Sequence, residues 1–127
     1  MNRIRPLSFW SLLSIVLLSL HFVDDIVRGI SPVGLDNVGA CAILAFLLLG
    51  TLVLGERRSG QVIMILGGIF ALGMPIIHLR GTRIVAIAAG EGGFFFMWTL
   101  IALGTTGLFT IVLAAVEMWR QRAGAKT

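Results

Sequence analysis

The chain has 127 residues, of which 57% are hydrophobic and 13% charged, with a formal net charge of +4. That size leaves room for one domain, residues 1–127, and the single cysteine, Cys41, excludes an intrachain disulfide and any multi-cysteine zinc or iron–sulfur centre. The 10 lysines and arginines sit at the ends of apolar runs rather than in a patch, so the basic balance does not point to nucleic acid.

The first run, Pro6 to Val23, follows Arg3 and Arg5 in the manner of a secretory signal. Ser19-Leu20-His21-Phe22 lacks the small residues of a cleavage site, so an uncleaved first span over 7–28 is expected. Ser31-Pro32-Val33-Gly34 then breaks the helix, and a second span is expected over 37–55. The tight turn Gly55-Glu56-Arg57-Arg58-Ser59-Gly60 makes spans two and three antiparallel neighbours. The third span, 61–79, carries Pro75, which frees the carbonyl of Ala71 and should bend the helix ahead of His78. The next loop, Arg80 to Gly93, contains Ile84 to Ala89, too short to cross a bilayer and too apolar to float free; it should lie along the outer surface or cap the bundle. The fourth span is expected over 93–118.

Each run approaches the ~20 apolar residues that a crossing helix needs. The expected fold is an all-α membrane protein, a four-transmembrane-helix bundle with short loops whose solvating partner is the lipid bilayer. Orientation follows from charge. Arg3, Arg5, Arg57, Arg58, Arg120, Arg122 and Lys126 fall on one side, against Arg28, Arg80 and Arg83 on the other. Under the positive-inside rule both termini are cytoplasmic, and the membrane is expected to be the plasma (inner) membrane. Gly67, Gly68, Ala71 and Gly73 on span three, with Ala102, Gly104 and Gly107 on span four, read as surfaces for close helix packing. Thr99, Thr106, Thr110 and Glu117 make a stripe on span four, read as hydroxyls serving helix packing and backbone carbonyls.

The chemistry-bearing residues gather at the outer end. On the first helix His21, Asp24, Asp25 and Arg28 fall within roughly a 100° arc, with Ser11 and Ser14 extending the stripe inward. On span three Gly67, Ala71, Met74 and His78 repeat on one face, so His78 is expected to point inward at a similar depth. The plainest account is structural: the carboxylates pair with Arg28, Arg80 or Arg83, and both histidines sit at the interface. The functional account is an outward-facing site of His21, Asp24, Asp25, Arg28, His78 and Glu91 beneath the third loop, binding a small polar ligand or a partner protein. Its alternative is a metal- or haem-bearing enzyme, redox or hydrolytic. Two imidazoles with Asp25 or Asp24 would suit zinc or iron, and facing histidines could ligate one haem.

Proton handling would use the same groups. Asp24 and Asp25 lack the third carboxylate of an aspartate-rich magnesium motif, and Cys41 reads as a small buried hydrophobe. No nucleophile with an attendant base, no phosphate loop and no nucleic-acid motif is visible, so whether the chain is an enzyme stays open at this level.

Overall fold

The computed structural model describes residues 5–30, 36–80 and 84–124. Arg3, Arg83, Lys126 and the expected turn at Ser31 to Gly34 lie outside the described residues. Helix α1 is Pro6–Val27, with proline in the first turn, where its missing N–H costs nothing. Gly29, at φ 67°, takes the chain out of the helix. Helix α2 is Asp36–Leu48 and runs on into one π-turn, Leu49–Val53. Helix α3 is Arg58–Leu79, and its helical backbone continues through Pro75. A short α4, Ile84–Ala89, precedes α5, Gly93–Gly124.

Every regular element among the described residues is helical. Helices α1, α3 and α5 are long and apolar enough to cross a membrane, while the apolar stretch Asn37–Val53 is shorter. The second run was expected to remain helical to residue 55. It stops at Val53: Leu54 N–H closes the π-turn on the Leu49 carbonyl at 3.1 Å, and Arg57 N–H then closes a tight turn on the Leu54 carbonyl at 2.8 Å.

Side-chain contacts give the directions of the helices. Arg5 pairs with Glu117, Ser14 meets Thr110 at 3.5 Å, and His21 meets Thr99 at 3.0 Å, so α1 and α5 are antiparallel. Helix α2 also runs against α1. Ala40 shares a cavity wall with Asp25, Thr51 bonds Ser11 at 2.7 Å, and the Gly55 carbonyl accepts from Arg5 at 3.4 Å. Helix α2, its π-turn and the residues up to Gly55 therefore follow α1 from the level of Asp25 to the level of Arg5.

Polarity is distributed the reverse of a water-soluble domain. Val16, Leu20, Phe46, Ile69 and Leu108 are exposed, whereas Ser11, Ser14, His21, Asp25, Gln61, Thr99, Thr106 and Thr110 are buried. That arrangement suits a bundle solvated by hydrocarbon, where apolar groups lose nothing at the surface and polar groups need partners inside. The apolar interior is small: Ile15, Leu17, Leu18, Leu47, Ile63, Ala71 and Leu103 form its centre. Helices α3 and α5 approach to backbone contact. A Cβ built on Gly68 would lie 2.8 Å from the Gly107 carbonyl oxygen, and one on Gly107 would lie 2.6 Å from the Gly68 oxygen. Helix α4 has no buried residue and rests on the start of α5, where the Ile87 and Ala88 carbonyls fill the space a Gly93 side chain would take.

Candidate functional site

Two adjacent carboxylates near the end of α1 take different neighbours, because successive helical residues point about 100° apart. Asp24 turns to Arg28, whose Nε donates to its Oδ2 at 2.7 Å. The rest of that guanidinium crosses to the α4–α5 turn, Nη1 donating to the Glu91 carbonyl at 3.0 Å and Nη2 to the Gly92 carbonyl at 2.8 Å. Its carbon lies 5.6 Å from the centre of the Phe96 ring. Gly92 is required here, since its φ is 70° and a Cβ would lie 2.7 Å from Arg28 Nη2.

Arg28 and Asp24 thus act as a strut between α1 and the turn before α5. Glu91 contributes a carbonyl to that strut, and its exposed side chain is not among the groups gathered around the histidines. In Arg28→Ala, amide exchange across Gly90 to Gly93 should become roughly tenfold faster, the scale of one lost charge-assisted hydrogen bond. Unchanged exchange there would mean that the turn holds itself.

Asp25 turns the other way, into the bundle. It is 8% exposed, His21 is 0% exposed, and His78 is half-buried. Asp25 Oδ1 lies 3.8 Å from His21 Nε2, and Oδ2 lies 3.4 Å from His78 Nε2. The imidazoles meet edge to face with centroids 5.0 Å apart, and Phe96 packs on both, at 5.1 Å from His21 and 5.5 Å from His78. Three ligand atoms, one each from His21, Asp25 and His78, fall within 4.8 Å of one another. Neither Asp24 nor Cys41 belongs to this set, and Cys41 is exposed.

The outer hydrogen bonds assign the imidazole protons. His78 Nδ1 lies 2.9 Å from the Met74 carbonyl, which only accepts, so Nδ1 carries hydrogen. His21 Nδ1 lies 3.0 Å from Thr99 Oγ1, whose own hydrogen goes to the Phe96 carbonyl at 2.9 Å. The threonine oxygen must therefore accept, and His21 Nδ1 also carries hydrogen. In the neutral rings both Nε2 atoms are then bare lone pairs directed at a carboxylate. His21 Nε2 and Asp25 Oδ1 are buried without a hydrogen-bond partner.

Three Lewis bases held face to face in a largely buried cluster repel one another unless a proton or a metal ion sits among them. The arrangement suits a metal ion and not a haem. A porphyrin would have to separate the two rings, which instead touch, with Phe96 closing a third side.

Thr99 and Phe96 were not legible as parts of this site, nor was the Met74 carbonyl. Thr99 was visible only as the first member of a threonine stripe. What distinguishes it from Thr106 and Thr110 is the antiparallel register of α1 and α5, which sets it opposite His21. No protein-family model, curated protein or solved structure matches the chain.

Proposed function

We propose that this chain is a four-span plasma-membrane protein with both termini cytoplasmic, and that the outer end of its bundle holds a divalent transition metal on His21, Asp25 and His78. What carries the metal reading is the proton assignment for neutral rings: both Nδ1 atoms donate outward, which leaves both Nε2 lone pairs facing the Asp25 carboxylate. The spacings favour a metal over a shared proton. A charge-assisted N–H to carboxylate bond would draw the atoms to ~2.7–2.9 Å. Ligands at ~2.0–2.1 Å from a tetrahedral zinc lie about 3.4 Å apart. The 3.4 Å between Asp25 Oδ2 and His78 Nε2 matches the second pattern, the 3.8 Å between Oδ1 and His21 Nε2 is wider, and both exceed the length of a charge-assisted hydrogen bond.

His21 Nδ1 to Thr99, and His78 Nδ1 to the Met74 carbonyl, are the outer contacts that orient metal-binding imidazoles. Three protein ligands leave a fourth position open, the composition of a catalytic rather than a structural site, and a metal there supplies Lewis acidity and an activated water. The chain's residues hold the metal, orient the imidazoles and shield the site with Phe96. Arg28 and Asp24, engaged with each other and with the α4–α5 turn, serve as its frame.

Metal analysis of the protein purified in mild detergent should find one zinc or a similar divalent ion per chain, and cobalt(II) loading should give the visible bands of a low-coordinate nitrogen–oxygen site. Asp25→Asn should lose the ion. Thr99→Val should retain it about 10–100-fold more weakly, as outer-contact losses do. A parent chain that binds neither zinc nor cobalt would overturn the reading.

Four spans are supported by the path of the segment from α2 to Gly55 along α1, and the orientation by seven cations on one side against three on the other. Reporter fusions after Gly34, Gly60, Gly92 and Thr127 should report outside, inside, outside and inside. An external carboxy terminus would place the site on the cytoplasmic face.

A further inference from the structure

Beside Asp25 lies a cavity of about 240 Å³ between α1, α2 and α3. Its walls are apolar, among them Phe22, Ile43, Phe70 and Met74, and among the described residues Asp25 is the sole ionisable one lining it. Ile43 and Phe70 are 44% and 40% exposed, so the cavity opens through the flank of the bundle rather than through its end. On the opposite side α5 closes the site, with Thr99 and Phe96 both fully buried against the histidines. Arg28 straps the end itself. What reaches Asp25 through the cavity therefore comes from the hydrocarbon side, between α2 and α3.

We propose that this cavity admits a lipid-soluble molecule with a neutral hydroxyl head, an alcohol or phenol, and sets its oxygen against the Asp25–metal site. This rests on the metal reading above. The volume, at ~30 Å³ per water-sized group, holds about eight such groups, so the head and the first part of a chain enter and the remainder stays among the lipids. The apolar walls offer nothing to a sugar-like polyol or to an ionised head, whose desolvation there would go uncompensated. A hydroxyl answers both needs at the polar end. Its proton goes to the Asp25 carboxylate, the polar group in the cavity wall, and its oxygen lies toward the open metal position beside that carboxylate.

The test is photolabelling of the zinc-loaded protein in phosphatidylcholine vesicles, with a long-chain primary alcohol that carries a diazirine near the head. The methyl ether and the carboxylic acid of the same chain serve as comparisons. The alcohol should label peptides around Ile43 and from Phe70 to Met74, about tenfold or more above the ether, the cost of a lost hydrogen bond to a charged group. Excess dodecanol should compete, and dodecane should not. Ala40→Phe, which fills the cavity from α2, should abolish this labelling while zinc stoichiometry stays at one. Zinc is measured on the same samples. Bound zinc with equal labelling by alcohol and ether, or stronger labelling by the acid, overturns this inference alone. Absence of zinc from the parent overturns the metal reading and this inference with it.

Discussion

Zinc should raise the unfolding temperature of the parent protein in detergent, and His21→Ala, His78→Ala and the double variant should each lose that increase completely. A ligand that binds only the folded state stabilises it by ~2.7 kcal/mol at one hundred times its dissociation constant. Removing either imidazole leaves two protein ligands, one of them Asp25, and a loss larger than the ~10–100-fold typical of outer contacts. The decisive quantity is therefore the zinc-dependent difference within each variant, which cancels the packing cost of truncating a buried ring. Since His21 and His78 would act on one ion, their effects should not add. The double-variant cycle in zinc should show coupling above about 1 kcal/mol, whereas separate sites add within a few tenths. Simple additivity, with zinc still stabilising either single variant, would make them independent interfacial residues.

Gly107→Leu should prevent the bundle from assembling, and Gly107→Ala should destabilise it by about 1–3 kcal/mol, the range for overpacking a close contact. The reason is where an added Cβ would fall: 2.6 Å from the Gly68 oxygen, 2.9 Å from the Leu72 nitrogen and 3.1 Å from the Ala71 Cβ. Two of those neighbours are backbone atoms, which cannot swing aside as a side chain would, so α3 and α5 must move apart. Between helices in lipid there is no hydrophobic drive to restore what that separation loses; contact packing is most of the attraction. The internal control is Gly73, where a Cβ would meet nothing within 4 Å. Gly73→Ala should leave stability unchanged or raised slightly, as glycine is a poor helix former. Thermal unfolding and size-exclusion profiles in detergent report both. Parent-like stability in Gly107→Leu would mean that the helices do not meet at these glycines.

The helices were legible because a crossing helix leaves a long unbroken apolar run, and three such runs became α1, α3 and α5. The α1 stripe was legible too. Spacings of three and four residues put Ser11, Ser14, His21 and Asp25 on one face whatever they meet, and all four are buried. Local periodicity does not say which helix stands opposite, or at what register. Only the tertiary structure set Thr99 behind His21, and so decided which imidazole nitrogen carries hydrogen. Only it separated Asp24, tied to Arg28, from Asp25, turned toward both histidines; in sequence the two are equivalent neighbours. The same holds for Glu91, read from its side chain but engaged through its carbonyl, and for the π-turn at the end of α2, placed where Gly50 has to clear Ile63. Apolar length, charge bias and helical face are properties of one segment with its solvent, so the sequence alone determined them. Lone-pair direction, hydrogen-bond partners and the flank cavity are properties of several helices at once, and only their packing decided those.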